Sequence, residues 1–242
     1  MPKQKILVID DEKPTLGMFL LFLKAYGYEV LLAENGAQGL EIFEAESPAI
    51  VFTDVKMPGM DGIEVLDRIK SQAPETEVIV ITGHGDMDLA VEALNHEATD
   101  FINKPIHRSA LDAALNRAEE RIKSSKTDAA ITGNVQENDI RIIEIRGNVN
   151  SGSERELMAA FKSADTEEKP KLLLRFHDNT SINGAGIGVL IQLLSESSNR
   201  QQKVAISGIS ENFIKIFDMV GITRLAPIFP DDRAAKAYLN TE

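Results

Sequence analysis

Five short apolar runs in the first half of the chain constrain its fold more than any other feature. They are KILVID (5–10), YEVLLA (28–33), AIVFTD (49–54), EVIVIT (77–82) and DFINK (100–104). Near-continuous apolarity is what a parallel strand covered on both faces requires. Helical patterns lie between the runs, with Leu16, Leu20 and Leu23 spaced along one helix face and Val65 and Ile69 along another. Parallel neighbours need a crossover, and a helix supplies it. Five such units predict an α/β domain built on an open, doubly wound, five-stranded parallel sheet.

In open sheets of this kind, functional groups collect at the carboxyl ends of the strands, near the point where strand order reverses. Asp10 and Asp11 end the first run, Asp54 the third, Thr82 the fourth, and Lys104 the fifth, just before Pro105. A single aspartate after a strand is an ordinary turn residue. Five strand-end residues whose types all serve one reaction carry a stronger signal. Three carboxylates packed together repel one another and stay ionised only around a cation. Oxygen-only ligands in little room favour Mg2+. One carboxylate of such a group can attack an activated phosphoryl group and become an acyl phosphate. The metal and a lysine ammonium then neutralise charge on the transferred oxygens, and the Thr82 hydroxyl can donate to them.

This spacing, with TDVKMPGMDG (53–62), TGHGD (82–86) and DFINKP (100–105), resembles the receiver domain of response regulators over residues 3–123. The resemblance implies a flavodoxin-like fold with Asp54 as phosphoacceptor. It implies Mg2+ held by Asp10, Asp11, Asp54 and the backbone carbonyl of Lys56, with Lys104 on the phosphoryl oxygens. Thr82 and Phe101 match positions that rearrange on activation: new acceptor oxygens give Thr82 something to bond, and its shift vacates space for the ring. Lys56 and His84 fall where the family tunes the lifetime of the acyl phosphate. Pro58, Gly59 and Gly62 are expected in turns. Glu97 stands where the family usually has glycine. His96, His107 and His177 are scattered and are expected to be structural or exposed. The implied phosphodonor is a sensor histidine kinase or phosphotransfer protein. Activated receivers commonly pair through the face of the fourth and fifth helices, which allows a homodimer.

KSSKTDA (123–129) is polar and aperiodic and reads as a linker. The expected organisation is therefore a receiver domain over 1–123, a linker over 124–130 and a smaller α/β domain over 131–242. In that last part the order is strand, strand, helix, strand, helix, strand, helix, with clear strands at IRIIEI (140–145), KLLLRF (171–176) and KVAI (203–206). A helix over 185–198 presents Ile187, Leu190, Ile191 and Leu194 on one face. With NTSINGAGIGVLI (179–191) and FIKIFDMVGITRLAPIFPDDRAAKAYL (213–239), this half resembles the STAS domain of anti-sigma factor antagonists. That family often carries a phosphorylated serine or threonine at the turn into the helix. Asn183, Gly184, Ala185 and Gly186 stand there instead, so the usual acceptor hydroxyl is missing. Ser181 and Thr180, just upstream, could substitute as acceptors, but are expected to serve as turn and capping residues. The glycines are expected to serve close helix-to-sheet packing, although a helix start also offers amides to an anion. Ile182, Ile187, Leu190 and Phe217 could line a partner groove or the domain core, and the core is expected.

The chain has no cysteine, which excludes disulfides and thiolate sites. Its formal net charge of −12 falls mostly on residues 1–125, and neither half has the positive excess that phosphate-backbone binding needs. No recognition helix, secretory signal or membrane span is evident, so a cytoplasmic protein with no DNA partner is expected. Asp178, Asp165 and His177 form no catalytic constellation, and an enzyme is not expected. The resemblances together imply a response regulator whose STAS-like domain meets an anti-sigma factor, a serine kinase or another signalling protein. The alternative is a phosphorelay or phosphate-sink protein with the second domain as a docking module.

Overall fold

In the computed structural model, which describes residues 4–83, 85–124, 131–163, 171–177 and 180–241, all five apolar runs are strands. These are β1 (Lys5–Ile9), β2 (Glu29–Ala33), β3 (Ile50–Asp54), β4 (Glu77–Thr82) and β5 (Asp100–Asn103). All pairings are parallel, in the order β2-β1-β3-β4-β5. The crossovers are α1 (Lys13–Ala25), α2 (Gly36–Glu46), α3 (Gly62–Gln72) and α4 (Met87–Asn95), and α5 (Arg108–Ser124) closes the unit. This is the flavodoxin-like doubly wound order, and it reverses between β1 and β3. The carboxyl ends of those two strands therefore open on a shared crevice.

Helices α1 and α5 cover one face of this sheet, and Leu16, Phe19 and Leu23 of α1 are buried there. Phe19, rather than the Leu20 expected from spacing, sits between the two leucines and meets Phe52 of β3 at 5.1 Å between ring centroids. Each such burial is worth about 1.5–3 kcal/mol. Asn35 caps α2 through Gln38 N–H and Asp61 caps α3 through Glu64 N–H, both at 2.9 Å. At the amino-terminal ends of β4 and β5 lies a buried charged network. Arg117 of α5 donates to Asp100 Oδ2 at 2.7 Å, and Arg121 donates to Glu77 Oε2 at 2.7 Å. Thr99 Oγ1 also donates to Glu77, at 2.5 Å.

Two loop expectations are refined. Gly59 is a turn residue with φ +82°, but Gly62 is the first residue of α3. A Cβ on Gly62 would lie 2.1 Å from the Asp54 carbonyl oxygen, so close approach of the helix to the strand end requires glycine, not turn geometry. Glu97 does adopt the left-handed conformation that glycine favours, at φ +66°, and is exposed. Glu97→Gly should therefore raise stability by about 0.5–1 kcal/mol, because relief of the left-handed strain exceeds the added chain entropy. Urea denaturation of the two proteins measures this.

The chain divides into two units between residues 125 and 126. The expected linker falls largely on 125–130, outside the described residues. The second unit has β6 (Ile131–Glu137), β7 (Ile140–Ile145), β9 (Lys171–Phe176), β11 (Lys203–Ser207) and β12 (Ile228–Phe229) in the order β12-β11-β9-β7-β6. Only the β6–β7 hairpin among these pairs is antiparallel. A separate parallel pair joins β8 (Asn148–Val149) to β10 (Ser181–Ile182). The helices are α6 (Glu154–Ser163), α7 (Gly184–Asn199), α8 (Glu211–Met219), α9 (Ile222–Leu225) and α10 (Asp232–Leu239). Ala235 and Leu239 of α10 pack on Ile140, Ile142, Leu173 and Ala205. Alternate residues of the same strands face the other way, where Phe176 meets Phe217 of α8 edge-on at 6.1 Å.

Candidate functional site

The reversal of strand order brings Asp10, Asp54 and Lys104 together. Asp10 follows β1, Asp54 ends β3, and Lys104 follows β5, its backbone N–H bonded to the Thr82 carbonyl at 2.7 Å. Lys104 Nζ stands 3.1 Å from Asp54 Oδ1 and 3.3 Å from Asp10 Oδ2. Asp10 is wholly buried and Asp54 nearly so. Burial pushes the Asp54 carboxyl up to about 6, against the pull of Lys104, and the charges of Asp10 and Asp11 push the same way. Burial also raises Asp10. Burial opposes the charge on Lys104, but Asp54, Asp10 and Glu12 outweigh it and hold the ammonium firmly protonated.

The other expected residues are placed as follows. Asp11 is exposed at the rim, near enough for its charge to act on Asp54. Lys56 is exposed and its ammonium is paired with Asp86 at 2.8 Å. Thr82 is buried, with its hydroxyl donating to Asn103 on β5 at 2.9 Å rather than facing Asp54. Phe101 is fully buried. His84 lies outside the described residues. His96 pairs with Asp67 at 2.6 Å across α3 and α4, a structural role as expected. Glu12 was not singled out by strand-end reasoning, yet its Oε2 lies 3.1 Å from Lys104 Nζ. The signal available was a third acid directly after Asp10 and Asp11.

Among the described residues, no three acidic or histidine side chains already stand together as a metal-ligand set. The donors nevertheless fit a hard divalent cation. Asp10 Oδ2 is buried and accepts no hydrogen bond, and the two buried carboxylates offer only oxygen. A cation there would favour the ionised forms that burial disfavours.

In the second unit, the turn into α7 is built around packing. Asn183 caps the helix by accepting from Gly186 N–H at 2.9 Å. A Cβ on Gly186 would lie 2.1 Å from the Val149 carbonyl oxygen of β8, whereas one on Gly188 would meet nothing within 4 Å. Thr180 and Ser181 are buried, and the Thr180 hydroxyl donates to the Ile145 carbonyl at 2.9 Å. Ile182, Ile187, Leu190 and Phe217 are all buried, as core residues are. Gly186→Ala should therefore cost about 3 kcal/mol, since backbone blocks the new methyl. Gly188→Ala should stabilise by about 0.8 kcal/mol, the ordinary helix-interior gain. Thermal unfolding of the two variants tests the contrast.

The response regulator receiver domain family matches residues 6–116, and the STAS domain family matches residues 133–235. The chain is 30% identical over 195 residues to the transcriptional regulatory protein FixJ of Bradyrhizobium diazoefficiens, covering 79% of this chain and 94% of FixJ. It is 36% identical over 120 residues to the nitrogen assimilation regulatory protein NtrX of Azorhizobium caulinodans, covering 49% of this chain and 26% of NtrX. The chain thus spans about a quarter of that longer relative. Among solved structures, a response regulator receiver domain protein from Clostridium thermocellum is 40% identical, with a TM-score of 0.48, over 50% of this chain and 98% of that one.

A doubly wound sheet with acids and a lysine at its switch point, matched over this range, defines a two-component response regulator. The chain belongs to that family and carries a STAS domain after its receiver. Receiver domains of this family interact with histidine kinases or phosphotransfer proteins and generally bind Mg2+ at the phosphorylation site. Receiver and STAS domains are typically signalling rather than enzymatic modules. Among the described residues no helix is long and apolar enough to cross a membrane.

Proposed function

We propose that this response regulator is phosphorylated on Asp54 and that the phosphoryl state controls partner binding by its STAS domain. The observation that carries the reading is the nearly buried Asp54 carboxylate with the Lys104 ammonium 3.1 Å away, at the reversal point of the sheet. In the transfer, an Asp54 oxygen bonds to the phosphorus of a phosphohistidine as the phosphorus–nitrogen bond breaks, and the histidine leaves with the electron pair. Lys104 donates to the phosphoryl oxygens. Asp10, Asp11, Asp54 and the Lys56 carbonyl are the groups that would hold Mg2+, which when bound neutralises charge on those oxygens. Thr82 exchanges Asn103 for a phosphoryl oxygen, and Phe101, already inward, fills the space its movement leaves.

Partner switching moves, on this reading, from a STAS hydroxyl to Asp54. Residues 183–186 at the turn into α7 carry no hydroxyl to be phosphorylated, and Thr180 is buried with its hydroxyl engaged. An anti-sigma factor, a serine kinase or a comparable signalling protein is the proposed partner, in the cytoplasm. FixJ is by its name a transcriptional regulator. Direct DNA binding is not proposed here, because the second half has no positive excess. Affinity capture from native extract, with Mg2+ and with or without beryllofluoride as a stand-in for the phosphoryl group, tests the reading. A partner gained or lost with beryllofluoride supports it. An unchanged partner set, with rapid phosphoryl exchange to a histidine-containing protein, points to a relay or sink instead.

A further inference from the structure

Lys104 has a carboxylate neighbour that phosphoryl transfer does not require. Glu12 Oε2 lies 3.1 Å from Nζ, the same distance as Asp54 Oδ1. Glu12 occupies the N-cap of α1, yet its side chain accepts no helix amide. The side chain thus leaves the helix amides uncapped and is free to face the site. Instead the Thr15 hydroxyl donates to Glu12 Oε2 at 3.1 Å and steadies it facing the ammonium. The Glu12 backbone N–H donates to Asp10 Oδ1 at 2.8 Å, which fixes the main chain beside the site.

We propose that Glu12 is a positioning residue that engages the Lys104 ammonium in competition with the incoming phosphoryl group and so slows phosphorylation of Asp54 by anionic small-molecule donors. This rests on Asp54 being the acceptor. As an Asp54 oxygen bonds to phosphorus, the bond from phosphorus to the donor's leaving group breaks, and the leaving group departs with the electron pair. The phosphoryl oxygens need an N–H from Lys104 at that moment. An ammonium has three N–H groups, and its neighbours at rest are Asp54, Asp10 and Glu12. Glu12 takes one of them and adds a further negative charge against the arriving anion. Its side chain is 60% exposed, so water screens the effect and keeps it modest.

The test measures initial phosphorylation rates by intact mass for wild type, E12Q, E12D and D54N, at fixed Mg2+, with two donors. Acetyl phosphate brings more negative charge than phosphoramidate. E12Q should be phosphorylated roughly threefold to tenfold faster by acetyl phosphate, with a smaller gain for phosphoramidate and for either donor at high salt. E12D keeps the charge and should stay within about twofold of wild type. A gain equal for both donors and indifferent to salt would mean a structural effect and overturn the inference. Equal rates for wild type and E12Q, with D54N inert, overturn the role of Glu12 and leave Asp54 as acceptor. Phosphorylation that persists in D54N overturns the Asp54 reading, and the role of Glu12 with it.

Discussion

Arg117→Leu is expected to lower the stability of the first unit by about 3–5 kcal/mol, the usual cost of stranding one member of a buried ion pair. Asp100 is wholly buried and Arg117 nearly so, with Arg117 Nε donating to Asp100 Oδ2 at 2.7 Å. Burial raises the Asp100 carboxyl, and Arg117 is the chief group opposing that rise. Without the guanidinium the carboxyl shifts further up. The loss should then be full at neutral and alkaline pH and shrink in acid as the carboxyl protonates. Adding Asp100→Asn should recover most of the loss, because the amide removes the stranded charge and keeps an acceptor for Phe101 N–H, now bonded to Oδ1 at 2.9 Å. Urea denaturation across pH separates a stranded charge from simple loss of packing. If the double variant is no better than Arg117→Leu, the pair does not act as described.

Asp54→Asn should abolish phosphorylation while making the metal-free protein more stable. The amide has the same shape but no nucleophilic carboxylate oxygen. The stability gain follows from linkage. The folded-state carboxyl sits at about 6, above the ordinary carboxylate value, because of burial. Ionised Asp54 therefore costs the folded state at neutral pH, and protonation removes that cost. Asp54→Asn should gain about 3 kcal/mol at neutral pH without divalent cations. The gain should fade as pH drops through about 6 and vanish below about 4. Saturating Mg2+ should narrow it at neutral pH, since a cation offsets the cost in wild type alone. Thermal melts with and without chelator give all of these values.

The receiver half was legible because β1, β3, β4 and β5 are almost wholly buried and β2, on the sheet edge, is half-buried, so each apolar run marked a strand almost residue for residue. Asp10, Asp54 and Lys104 were legible because strand ends in this topology converge. What escaped depends on contacts between distant segments. Phe19 rather than Leu20 faces the core, a choice between two helical spacings that only packing decides. Gly62 reads as a turn glycine until the Asp54 carbonyl is placed against it. The engagement of Thr82 with Asn103 depends on cross-strand register. In the STAS half, β8, β10 and β12 have two residues each, too few for any periodicity to declare them. Asn183 and Gly186 could be read as a packed turn in outline, but Val149 as the obstacle could not be read.

Hydrogen–deuterium exchange of the full chain, with Mg2+ and with or without beryllofluoride, tests most directly whether the state of Asp54 reaches the STAS domain. Wild type should change its exchange within residues 131–241 on adding beryllofluoride, as well as around β3, β4 and β5, and Asp54→Asn should change in neither region. Changes confined to the receiver in wild type would contradict control of the STAS domain by Asp54.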